Sequence, residues 1–126
     1  MIIGVGVDSI EIARVAAALQ RSPRLRDRLF SPDEIEQLPG GAKAASRLAA
    51  LFAAKEAVFK ALGTGLAGHS WQDVQVLHRE NGAPYICLRG QAFQPAKKRG
   101  IVNMHISLSH DQERALAFCL AEGVEA

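Results

Sequence analysis

The apolar residues of this chain fall into two repeats, one near 3.6 residues and one near two. The longest helical repeat runs through residues 44–65, AASRLAALFAAKEAVFKALGTG. At about 100° per residue, Leu48, Leu51, Phe52, Val58, Phe59 and Leu62 fall within about 120° of one another, a stripe that faces a core. The stretch is rich in Ala, Leu and Lys and holds no Pro. Gly63 and Gly65 follow its last apolar residue, where a left-handed cap ends a helix. One long helix from Ala44 to these glycines is expected. Beyond the stripe the face is Ala49, Ala50, Ala53, Ala57 and Ala61. A solvated face carries several charges, whereas an alanine face admits another backbone, a subunit or a ligand. Lys55 falls inside the stripe, where an unpaired charge is costly. Such a lysine most often snorkels to solvent and less often reaches a buried anion.

The other segments are shorter. Met1–Val7 is apolar and β-branched and reads as a buried first strand or an interface strand. Asp8 and Ser9 then fit the N-cap of an amphipathic run, Ile10–Leu19. Asp8 equally fits a metal ligand at the end of a strand. Ser31-Pro32-Asp33-Glu34 starts a short helix that ends near Leu38, ahead of Pro39-Gly40-Gly41. Thr64–Ser70 is a glycine-rich loop, either a plain turn or a place where backbone N–H groups approach phosphate. Asp73–Arg79 alternates through Val74, Val76 and His78, Pro84–Leu88 follows, and Asn81-Gly82 between them signals a hairpin. Gln91–Arg99 is helical, shortened or kinked by Pro95. Ile101–Leu108 sets Val102, Met104, Ile106 and Leu108 on one face and His105, Ser107 and Ser109 on the other. Arg114–Ala121 pairs with it through a turn at His110–Glu113. The order predicts an α+β fold, a mostly antiparallel sheet against one long helix.

Composition narrows the function classes. The 126 residues make one domain, 1–126, with 48% hydrophobic and 22% charged residues, ordinary for a globular protein. A net charge of +2 and 6% aromatics argue against a nucleic-acid binder. Cys87 and Cys119 form no CxxC and sit in apolar runs, which predicts buried, reduced thiols and no zinc. No run reaches the ~18 apolar residues of a membrane span, and the chain opens on a strand-like segment with no charged leader. The cytoplasm is the expected compartment. Charge is lopsided only from Glu11 to Phe30, where Arg14, Arg21, Arg24, Arg26 and Arg28 outnumber Glu11 and Asp27. Arginine favours multidentate contact with carboxylate or phosphate, so an acidic protein partner is expected. Glu56 and Lys60, four apart at the edge of the helical stripe, read first as an exposed ion pair worth a few tenths of a kcal/mol. The same pair could instead give a carboxylate to a metal and an ammonium to a phosphate, half of a magnesium–pyrophosphate site.

Two motifs stand together: G6-V7-D8-S9-I10-E11-I12 and F52-A53-A54-K55-E56-A57-V58-F59-K60-A61. Their sequences and spacing resemble the signature of the holo-[acyl-carrier-protein] synthases, the small 4′-phosphopantetheinyl transferases. Weaker similarities cover almost all the rest: F30-S31-P32-D33-E34, G63-T64-G65, W71-Q72-D73-V74, N81-G82-A83-P84 and N103-M104-H105-I106-S107-L108-S109. The resemblance implies that coenzyme A is the donor, magnesium the cofactor and a serine of apo acyl carrier protein the acceptor, with 3′,5′-ADP leaving. It implies that Asp8 and Glu56 hold the metal and that Lys60 holds a pyrophosphate oxygen. His105, Gly65, Gly82 and Pro84 match positions near the coenzyme A nucleotide. The base that takes the serine proton stays open between a metal-bound water and a site carboxylate.

Carrier proteins are acidic, so Arg14, Arg21, Arg24 and Arg28 become the implied docking face. Family members are trimers whose active sites are shared between subunits, and the apolar first strand fits such a contact. A transferase for polyketide or other specialised carriers fits the same residues, whereas a non-catalytic trimer would be expected to have lost the metal pair. Two positions depart from the family pattern. Leu51 stands where relatives carry an arginine that contacts a coenzyme A phosphate, a contact either lost or supplied by Arg47. Pro95 shortens the late helix.

Overall fold

The computed structural model describes residues 1–63 and 70–124. Strand β1 (Ile2–Glu11) leads into helices α1 (Ile12–Arg21), α2 (Pro23–Leu29), α3 (Pro32–Glu36) and the long α4 (Lys43–Leu62). Strands β2 (Val74–His78) and β3 (Pro84–Leu88), helix α5 (Phe93–Lys98), and strands β4 (Ile101–His110) and β5 (Arg114–Gly123) follow. The fold is α+β with antiparallel strands against one long helix, as the pattern predicts. Its strands divide into two sheets, a three-stranded one in the order β1-β5-β4 and a β2-β3 hairpin. Gly82 takes φ 89° in the hairpin turn, where the Gly82 N–H donates to Arg79 O.

Helix α4 is buried on nearly every side. Its leucine and phenylalanine stripe packs into the main core. Its alanine face meets β1, where a Cβ at Gly4 or Gly6 would stand 2.0 or 1.9 Å from the carbonyl oxygens of Ala61 and Ala57. A backbone is therefore what the alanines admit. The inner face of β5 is correspondingly small, with Ala115, Ala117, Cys119 and Ala121 all buried. Gly63 ends α4 in the left-handed conformation, at φ 77°. Arg99 closes the same end, donating to Ala61 O at 3.0 Å, to Leu62 O, and to Ile3 O of β1 at 3.1 Å. Gly65 and the loop residues 64–69 lie outside the described residues.

Several expectations need correction. β1 is not a buried strand: it alternates, leaving Val5 50% and Val7 52% exposed on the outer face of the sheet. It also continues through Asp8 and Ser9, which pair with Ala117 and Leu116 of β5. Neither residue caps a helix, because the strand ladder takes their backbone groups first. α1 starts at Ile12 without a side-chain cap, and the Ile12 N–H donates to Glu113 O. Helix α2, with Pro23 at its first position, falls in a stretch where the sequence signals only charge. On β4 the register shifts between Ile101 and Asn103, so Val102 turns outward, away from the face of Met104, Ile106 and Leu108. Pro95 is the third residue of α5. An N–H there lacks a helical partner in any case, so the proline is tolerated in this six-residue helix.

Lys55 does not snorkel. It is fully buried, and its ammonium donates to Glu34 Oε1 at 2.8 Å, Trp71 O at 3.0 Å and Val74 O. Glu34 also accepts from the backbone of Ser31 and Val76, and Ser31 Oγ donates to Gln75 Oε1. This network joins α3, α4 and β2 through the core. It uses the capping box that Ser31 and Glu34 form at the helix start the sequence predicts. Burial pulls the Lys55 ammonium below its usual range, and Glu34 opposes that.

The two cysteines differ. Cys119 is buried, and burial pushes its thiol up to about 12. Cys87 is exposed on β3, contrary to expectation, because its strand shows that face to solvent. A thiol reagent at neutral pH is expected to label one cysteine in the native protein and two after unfolding. Rapid double labelling of native protein would contradict the packing around Cys119. Among the described residues no helix is long and apolar enough to cross a membrane.

Candidate active site

A cavity of about 450 Å³ opens between the end of β1, the α1–α2 pair and the middle of α4. Its apolar floor includes Val15, Leu19, Leu25, Leu29 and Phe52. Its polar end gathers Asp8, Glu56 and Lys60, with Arg14 and Arg114 at other points of the wall. The even positions of β1 face α4, so Asp8 follows Gly4 and Gly6 toward the helix. Glu56 and Lys60 sit one turn apart on the part of α4 that β1 leaves open.

The expected Glu56–Lys60 pair is replaced by another. Lys60 Nζ lies 3.4 Å from Asp8 Oδ1 and donates to Val7 O at 2.8 Å, and its side chain stays 54% exposed. An exposed pair of this kind contributes little, so Lys60 is held in place yet free to meet an anion. Glu56 is half-buried. Burial first, and then the charge of Asp8, raise its carboxyl above the ordinary glutamate range, with Lys60 pulling the other way. The fold thus favours protonated Glu56, and this preference is lost as pH rises through the raised value. In metal-free protein, NMR titration of Glu56 is expected to show a midpoint above that of a free glutamate, and Asp8→Asn should bring it down. A Glu56 midpoint that Asp8→Asn leaves unmoved would mean that the two carboxylates do not interact.

A second cavity, of about 550 Å³, lies at the other end of α4 and holds Gly82 and Pro84 of the hairpin. Lys43, Arg47, His78 and His110 line it, and no carboxylate of the described residues does. Burial, and then Arg47, hold His78 below its usual range. Lys43, His78 and His110 carry no sequence signal of their own. The i, i+4 spacing of Lys43 and Arg47 at the start of α4 is the one hint. Leu51 is fully buried, whereas Arg47, one turn earlier, reaches this cavity.

His105 lies in neither cavity. It stands on the outer face of β4, 3.1 Å from Glu122 Oε1, with both side chains about half exposed. Val5, Val7, Leu116 and Phe118 expose apolar surface on the same sheet. The structure therefore brings Asp8, Glu56 and Lys60 together but places Gly82 with Pro84, and His105, in two other locations. Arg14, Arg21, Arg24 and Arg28 are all exposed on α1 and α2.

Comparison with known proteins decides the family. The profile of the 4′-phosphopantetheinyl transferase superfamily matches residues 4–119. The chain belongs to this family. A holo-[acyl-carrier-protein] synthase of Beutenbergia cavernae is 51% identical over 122 residues, covering 97% of this chain and 99% of the relative. An acyl carrier protein synthase of Plasmodium yoelii, solved with ADP bound, superposes with a TM-score of 0.88 at 30% identity, covering 99% of this chain and 98% of that one. The holo-[acyl-carrier-protein] synthase of Helicobacter pylori in complex with coenzyme A gives a TM-score of 0.81 at 29% identity, covering 94% and 99%. The family motifs thus sit on elements with definite places in the fold, GVD in the middle of β1 and KEAVFKA along α4.

Proposed function

We infer that this protein transfers the 4′-phosphopantetheine arm of coenzyme A to a serine of apo acyl carrier protein, with magnesium as cofactor. The observation that carries this reading is the meeting of Asp8, Glu56 and Lys60 at one end of an apolar cavity, in a chain of this family. Asp8 and Glu56 fit magnesium. They are an oxygen-only pair, and burial, then the charge of Asp8, raise the Glu56 pKa. Bound there, magnesium would neutralise charge on the pyrophosphate of coenzyme A. Lys60 is placed to hold a pyrophosphate oxygen and to stabilise the departing bisphosphate. The serine oxygen forms a bond to the phosphorus that carries the pantetheine arm, and the bond from that phosphorus to 3′,5′-ADP breaks. The serine proton leaves to water or to a carboxylate of the cavity. The apolar floor suits the uncharged part of the substrates.

The second cavity, lined by cations and by no carboxylate among the described residues, suits the nucleotide phosphates, with Arg47 supplying the contact that Leu51 cannot. It is separate from the Asp8 cavity within one chain, and so is His105. Together with the apolar outer sheet face, this separation supports a homotrimer in which neighbouring subunits complete each site. Both substrates fit a cytoplasmic enzyme of fatty acid synthesis. Intact mass spectrometry of an apo acyl carrier protein incubated with this protein, coenzyme A and magnesium tests the reading. A gain of one phosphopantetheine arm that requires the metal is expected. No gain, or full activity in EDTA, would overturn it.

A further inference from the structure

The docking face implied by the sequence lies entirely on α1 and α2, yet the cavity has one more cation on a different element. Arg114 is the first residue of β5, and it lines the same cavity as Arg14, Asp8, Glu56 and Lys60. Its Nε donates to Ser9 Oγ at 3.0 Å, and its Nη1 stands 3.8 Å from Glu11 Oε1. The side chain is 51% exposed. A guanidinium has five donors in a fixed fork, so these two anchors leave most of it available at the cavity mouth. We propose that Arg114 is a specificity residue for the acidic carrier protein, a second cationic arm on the wall of the cavity that Arg14 also lines. This rests on the carrier-protein reading above.

Position separates this role from a contact with coenzyme A. The anionic parts of coenzyme A have Lys60 at one location and the Lys43–Arg47 cavity at another. Arg114 opposes Glu11 in the β1–β5 register. Glu11 lies three residues past Asp8 on an extended strand, about 10 Å along it, at the residue just before α1. An acidic surface covering the mouth would meet Arg14 from the helical wall and Arg114 from the sheet. Glu11 partly satisfies Arg114 in the free protein, so it competes with the carboxylates of the partner.

Steady-state kinetics on the full chain test this, with carrier protein and coenzyme A varied separately. Arg114→Glu is expected to raise KM for carrier protein by roughly fivefold or more, to leave kcat and KM for coenzyme A unchanged, and to lose its effect in high salt. Glu11→Gln should lower KM for carrier protein, and should do nothing in an Arg114→Ala background. Lys97→Glu makes the same charge change on α5 and should leave all parameters alone. A fall in kcat at constant KM would mean that Arg114 props β1 and Asp8, and a rise in KM for coenzyme A would mean that it binds phosphate. Either result overturns the proposal, as does an equal effect from Lys97→Glu. If the wild type turns over and Arg114→Glu behaves identically, this inference alone fails. If the wild type modifies no acidic carrier, the functional reading fails and takes it along.

Discussion

Glu56→Gln is expected to lower phosphopantetheine transfer by roughly two to three orders of magnitude while the protein stays folded. The substitution keeps the shape of the side chain and removes one of the two carboxylates that would hold magnesium. It also removes a charge that burial, and then the neighbouring Asp8, already disfavour. The metal-free fold should therefore lose nothing, and activity and stability should separate. kcat at saturating coenzyme A and carrier protein, measured beside the melting temperature, checks this. Near-normal turnover would remove Glu56 from the mechanism. A large fall in melting temperature would make it a structural residue.

Lys55, the next residue on the same helix, should show the opposite separation. Lys55→Met is expected to destabilise the protein by about 3–5 kcal/mol, because it leaves the Glu34 carboxylate buried without its charged partner. For a chain of this length that corresponds to a melting temperature lower by roughly 10–20 °C, compared at equal protein concentration. The double variant Lys55→Met/Glu34→Gln should recover part of the loss, since it removes the unpaired charge together with the bond. A single variant as stable as the wild type would mean that water reaches Glu34. A double variant no better than the single one would place the stabilisation in the backbone bonds to Trp71 and Val74.

The contrast between these neighbours also marks how far the sequence could be read. The helical period placed α4 within a residue or two, because a long amphipathic segment without proline has no competing structure. The Ser31 capping box, the Asn81-Gly82 hairpin and the β4–β5 pairing follow from contacts between residues close in the chain. The family motifs named Asp8, Glu56 and Lys60 as the polar end of a site, and the structure brings those three together.

What the sequence could not settle depends on residues far apart in the chain. Whether Lys55 meets solvent or a carboxylate rests on Glu34, 21 residues earlier. Lys60 turns from Glu56, on its own helix, to Asp8 and Val7, which β1 carries past it. Asp8 and Ser9 cap no helix because β5, from the other end of the chain, extends their strand. Arg114 joins the cavity only because that pairing sets it beside Ser9 and Glu11. Local free energies decide helices and turns, and they are written in neighbouring residues. Ion pairs, strand order and cavity walls depend on which distant segments pack together. The sequence by itself therefore determined most of the elements, though not α2 or the full length of β1, and the chemistry on offer, and the tertiary structure decided which charges meet.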